Sequence, residues 1–117
     1  AAGTSAAGAI TSNRISFCLG MQGPSLTIDS GAAASLAAVS IATNMLRFQT
    51  ASYQPCHATC AGGTYLCLHH APMTLQCAAG WLSPEGRCLT FDATASGWAK
   101  GEGSGAVVQT RLTQQVN

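Results

Sequence analysis

Leu26-Thr27-Ile28-Asp29-Ser30-Gly31-Ala32-Ala33-Ala34-Ser35-Leu36 is the stretch on which the fold turns. A short apolar run ends at Asp29, and an alanine-rich segment begins three residues later. That order predicts a buried strand over residues 25–29, a sharp turn at Ser30-Gly31, and a helix over residues 33–47. A turn of this kind presents one side chain at a helix N-terminus, where unsatisfied backbone N–H groups and the macrodipole lower a thiol pKa and stabilise an oxyanion. The side chain presented is the methyl of Ala32, which attacks nothing. Along the helix, Leu36, Val39, Ile41, Met45 and Leu46 lie around most of the circumference, with alanines filling the gaps. A helix apolar all round is a core helix.

Working outward, residues 1–12 read as an irregular lead-in and residues 15–19 as a short apolar strand-like segment containing Cys18. Downstream of Pro55, residues 56–61 and 64–68 predict two strand segments, with Gly62-Gly63 as a bulge or bend between them. Residues 73–81 predict a short helix, 82–88 a turn built on Pro84 and Gly86, 91–100 a loop, and 106–110 a final strand. Trp81 and Trp98 flank turns and read as loop anchors. Met21, Met45 and Met73 form no stripe.

The 117 residues carry 8% charged and 47% hydrophobic side chains, and residues 48–84 contain no Asp, Glu, Lys or Arg. One small domain fits this length. A free-standing surface needs mixed charges, so much of this surface is expected to be covered by other protein. A net charge of +1 without basic runs excludes the footprint of a nucleic-acid binder. The apolar segment 32–46 is shorter than the ~20 residues that span a bilayer. With no initial Met and no signal-like segment, the chain is expected to be processed or excerpted.

The six cysteines sit among apolar neighbours and read as reduced core residues, which places the protein in an intracellular, reducing compartment. Cys56, His57 and Cys60 with Cys67, His69 and His70 are zinc-ligand types, but Cys56 and Cys60 on one strand stand about 13 Å apart, too far for one tetrahedral ion. Gly101, Gly103 and Gly105 precede a strand, where a phosphate cradle needs a helix N-terminus. Neither a metal nor a cofactor is expected.

Several segments together resemble the ketosynthase domain of polyketide and fatty-acid synthases, the β-ketoacyl synthase branch of the thiolase fold. They are Asn13-Arg14-Ile15-Ser16-Phe17, Gly23-Pro24-Ser25-Leu26-Thr27-Ile28-Asp29, residues 58–63, Leu82-Ser83-Pro84-Glu85-Gly86-Arg87-Cys88, Phe91-Asp92 and Gly101-Glu102-Gly103. The resemblance covers residues 13–112. It implies an α/β, thiolase-like fold of which this chain supplies part of the N-terminal half: strand, nucleophile elbow, buried core helix and further strands. The family elbow reads Asp-Thr-Ala-Cys-Ser-Ser-Ser-Leu, and its cysteine carries the acyl chain as a thioester before condensation with a malonyl unit.

In this sequence Asp29 and Leu36 frame the same eight positions, and Ala32 stands where the family has its cysteine. Ser30, Gly31, Ala33 and Ala34 also differ, while Ser35 is retained. A laboratory knockout alters the cysteine alone, so the changed flanks point to natural drift. The family's two histidines follow its Gly-Glu-Gly motif, beyond Asn117, and His57, His69 and His70 match neither. Ser96 replaces the second acidic residue of the family loop, and Asp92 and Glu102 are expected to satisfy backbone groups. The resemblance therefore implies a degenerate, non-catalytic piece of a domain whose family condenses acyl thioesters by decarboxylation. Its expected partners are the rest of a ketosynthase domain or other subunits covering its apolar surface, and, in the family, an acyl carrier protein. The alternatives are a structural subunit of a larger assembly and a decarboxylase variant, the latter requiring the downstream histidines.

Overall fold

A computed structural model describes residues 7–48 and 56–112. Pro55 and the first six residues of the predicted lead-in lie outside the described residues. The elements are α1 (Gly8–Leu19), a 3-10 turn (Gly31–Ala33), α2 (Ala34–Arg47), β1 (Ala58–Tyr65), α3 (His70–Ala78) and β2 (Gly103–Thr110). The residues divide into two compact units, parting at Gly63/Thr64 and at Ser104/Gly105.

In the first unit, α1 takes the place of residues 8–12 of the irregular lead-in and of the apolar strand-like segment, so Cys18 lies on a helix. The reason is at its end. Gly20 takes the left-handed conformation (φ 62°), its N–H donates to the Phe17 carbonyl, and the Met21 N–H reaches back to Ser16 at 2.9 Å. Such a reversal satisfies the last helix carbonyls and needs a residue without Cβ. Residues 24–30, which contain the strand predicted over 25–29, carry no regular secondary structure and form no strand ladder among the described residues. The Thr27 hydroxyl instead ties this segment to α1, donating at 2.6 Å to the Gly8 carbonyl and lying 3.0 Å from Ser12 Oγ.

α2 follows where the alanine-rich segment predicts it. It buries Ala42 and Leu46, while Leu36 is 73% exposed. β1 and β2 form a two-stranded sheet. Gly62 faces Gly105 and Ala106, and Thr59 reaches Gln109, so the pairing runs antiparallel. β1 runs unbroken through Gly62-Gly63, against the predicted bulge. The glycines serve close approach instead of bending: a Cβ on Gly62 would meet the Gly105 carbonyl oxygen at 2.7 Å, and one on Gly63 would meet Ser35 Cβ at 2.7 Å. Gln109 joins the layers, since its amide donates to Thr43 Oγ1 of α2 at 3.0 Å while Thr59 of β1 donates to its Oε1 at 3.4 Å. Ala42, Leu46 and Ala61 make the small core.

In the second unit, α3 begins three residues earlier than the sequence predicts because His69 Nδ1 accepts the Ala71 N–H at 3.1 Å and caps it. Pro72 falls in the first turn, where no N–H is needed. Past Gly80, residues 81–99 fold as loops pinned at their base. Leu82 and Trp98 form a parallel bridge, Ser83 N–H donates to the Trp98 carbonyl at 2.9 Å, and the Trp81 and Trp98 rings stand 5.8 Å apart. The two tryptophans thus anchor the loop, as their placement beside turns suggests. Cys18, Cys60, Cys67, Cys77 and Cys88 are exposed free thiols and Cys56 is half-buried, so the expected core cysteines are not core here. The faces that carry them have no second layer among the described residues.

Candidate functional site

The candidate residues Asp29, Ser30, Gly31, Ala32, Ala33, Ala34 and Ser35 form one continuous turn at the head of α2. Asp29 Oδ1 accepts the Gly31 N–H at 3.4 Å, a short polar loop that starts the reversal. Ser30 has φ −137° and ψ 36°, and Gly31 turns into the left-handed region at φ 61°. Ala33 is nearly helical (φ −89°, ψ −3°), and the Ala34 N–H closes the 3-10 turn on the Gly31 carbonyl. Neither Ser30 nor Ala33 caps the following helix with a side chain.

Ala32 is therefore exposed in the middle of a tight turn leading into a fourteen-residue helix. Backbone N–H groups at such a point favour negative charge. A thiol placed there would ionise readily, whereas a methyl group offers neither a lone pair nor a proton. Ser35, one turn further on, seats the helix against Gly63 of β1. At the opposite end of α2, Arg111 Nε donates at 2.8 Å to the Leu46 carbonyl, and Nη2 lies 3.4 Å from the Arg47 carbonyl. Those residues border an open hollow of about 440 Å³ that Thr43 and Gln109 also line.

The histidines have separate places. His57 immediately precedes β1. His69 is committed to capping α3 and stacks on His70, with ring centroids 4.4 Å apart. Among the described residues no three His, Cys, Asp or Glu side chains converge as a metal site, and no helix is long and apolar enough to cross a membrane.

In the second unit Asp92 and Glu102 act as acceptors, as the sequence suggests. Asp92 Oδ1 accepts from the Thr94 hydroxyl at 2.6 Å and from the Thr94 N–H at 2.8 Å, and these two bonds hold its carboxyl below the usual range. Glu102 accepts the Cys67 N–H. Loss of solvent around Cys67, then the Glu102 charge and its hydrogen bond, hold that thiol above its ordinary range. Lys100 lies 4.4 Å above the Tyr65 ring. Ser96 stands 3.1 Å from the hydroxyl of Ser83, which is buried. Sequence reasoning missed this Ser83–Ser96 pair, the contact in which Cys88 Sγ accepts the Ala99 N–H at 3.0 Å, and the left-handed Phe91 (φ 67°). Only the serine standing where an acid is usual gave a signal for the first of these. Nothing local announced the other two.

Residues 1–115 match the family described as the N-terminal domain of β-ketoacyl synthase. The chain belongs to that family. Over 114 residues it is 41% identical to a subunit of the phenolphthiocerol/phthiocerol polyketide synthase of Mycobacterium tuberculosis, covering 97% of this chain and 7% of that protein. Over 104 residues it is 42% identical to another subunit of the same synthase from the same organism, covering 89% of this chain and 5% of that one.

Among solved structures, the ketosynthase from module 6 of the bacillaene synthase of Bacillus subtilis 168 superposes with a TM-score of 0.80 at 35% identity. An oxazolomycin ketosynthase domain from Streptomyces albus JA3453 does so with a TM-score of 0.80 at 31% identity. They are covered over 18% of their length, and this chain over 91% and 90%. This β-ketoacyl synthase segment thus has the α/β architecture of the thiolase-like ketosynthases, and its relatives are large polyketide synthase subunits.

Proposed function

We propose that this segment is a degenerate ketosynthase-like piece that forms no acyl-enzyme, within a protein of the polyketide synthase type. The observation that carries the reading is Ala32, exposed in the turn that leads into α2, at the place where the family elbow has its cysteine. The backbone there keeps the form that activates a thiol, and the thiol itself is lacking. The family's reaction is decarboxylative condensation of acyl thioesters delivered by a carrier protein, and covalent loading is the step this segment loses. Five exposed thiols fit an intracellular, reducing compartment, which forms part of the same proposal.

The test uses the polypeptide that carries residues 1–117. Incubated with a radiolabelled acyl thioester, it takes up no more label than the denatured chain acquires through its exposed cysteines. Stoichiometric label that depends on the native fold and is released by hydroxylamine would overturn the proposal.

A second reading, a structural subunit, draws on the uncharged run of residues 48–84 and on apolar side chains such as Leu68 and Leu75, 86% and 70% exposed. Covering protein is what such a surface calls for. Recovery of the chain in fixed ratio with unrelated subunits favours this reading, and recovery only as part of a longer synthase polypeptide favours the first.

A further inference from the structure

The adjacent glycines Gly62 and Gly63 make two different close contacts. Gly62 meets the second strand: a Cβ there would lie 2.7 Å from the Gly105 carbonyl oxygen and 3.2 Å from Ala106 Cβ. Gly63 meets the elbow helix: its Cβ would lie 2.7 Å from Ser35 Cβ and 3.6 Å from both Ser35 Cα and Oγ. Carbon atoms rest about 3.5–4.0 Å apart, so the second contact has no clearance for a methyl group. Rotating the serine does not relieve it, because Cβ is fixed by the backbone. Ser35 follows Ala32 by three residues, close to one helical turn, so whatever moves Ser35 moves the elbow with it.

We propose that Gly63 is a positioning residue for the elbow: its missing side chain lets Ser35 seat the head of α2 on β1 and so fixes where residue 32 stands. The inference rests on reading residue 32 as the family's nucleophile position, and it names the residue on which that position depends. A larger residue at 63 displaces the head of the helix by about 1 Å, the shortfall between the 2.7 Å contact and ordinary carbon separation. Shortening Ser35 to glycine removes the opposing Cβ and restores the seat. Gly62 acts on the strand pair, so its substitution is not repaired from position 35.

The test places a reporter thiol at the elbow by Ala32→Cys in the polypeptide that carries this segment. Iodoacetamide alkylation of that thiol is followed by peptide mapping across pH. Adding Gly63→Ala is expected to move the alkylation pH profile by about half a pH unit, roughly threefold in rate at fixed pH. Adding Ser35→Gly to that variant brings the profile back. Gly62→Ala, with or without Ser35→Gly, gives no such pairwise repair. If Gly63→Ala unfolds the protein, recovery of the native circular dichroism on adding Ser35→Gly supports the contact equally. An unchanged profile with Gly63→Ala, or a defect that Ser35→Gly leaves in place, overturns the proposal. Failure of the underlying reading shows differently: the reporter thiol then accepts no acyl group from an acyl thioester, while the repair between positions 35 and 63 is still observed.

Discussion

Asp92 shows how a motif residue serves a loop through its hydrogen bonds. Its carboxylate accepts two hydrogen bonds from Thr94, and both favour the ionised form. A carboxyl whose folded pKa is depressed adds stability that is fully present above the unfolded value of about 3.9 and is lost as pH falls through the lower folded value. Nuclear magnetic resonance titration should therefore place Asp92 below ordinary carboxylates. Asp92→Asn should loosen the loop at neutral pH, with amide exchange at Thr94 quickening, and the difference from the parent should vanish in acid. A midpoint in the usual aspartate range would refute this. At the same scale, the proposal that no acyl-enzyme forms rests on one residue, Ala32, exposed within the turn that leads into α2.

Helix α1 depends on one glycine more than on its own composition. Ile15, Phe17 and Leu19, at 51%, 89% and 67% exposed, bury little in this chain, so the helix relies on its left-handed end at Gly20 and on the Thr27 bond to Gly8. Gly20→Ala should destabilise the parent domain by about 1 kcal/mol, the cost of holding a Cβ in the left-handed region. Chemical denaturation of the paired proteins measures it, and an unchanged midpoint would show that the cap is dispensable. The sequence already contained the stop signal in Gly20, but the apolar cluster before it reads equally as a strand when no partner is specified. At Gly62-Gly63 the reverse happened. A glycine pair inside a strand suggests a bend, yet neighbours far away in sequence use both positions for close approach.

For the molecule as a whole, the described residues bury only Ala42, Leu46, Ala61 and Ser83, while Phe17, Leu68 and Leu112 are 89%, 86% and 93% exposed. Conformational entropy of order 1–2 kcal/mol per ordered residue opposes folding, and so small a core offsets little of it. Residues 1–117 expressed alone should show no sharp thermal transition by circular dichroism and should bind a hydrophobic dye. A cooperative melt with coincident probes would contradict this. The shortage of charge over residues 48–84 had already pointed to a covered surface, because composition alone decides how much of a surface water can solvate.

The amino-acid sequence by itself determined the elbow and α2, the loop anchored by Trp81 and Trp98, the acceptor role of Asp92, and the family, because each rests on residues close in the chain or on motifs in fixed order. Only the tertiary structure decided that β1 and β2 pair antiparallel, that Gly62 and Gly63 serve different neighbours, and that Ser35 seats the elbow on Gly63. Those facts are contacts across 28 to 50 residues of sequence, as between Ser35 and Gly63 or Thr59 and Gln109. Local propensity carries no record of which distant backbone will come within a methyl's width.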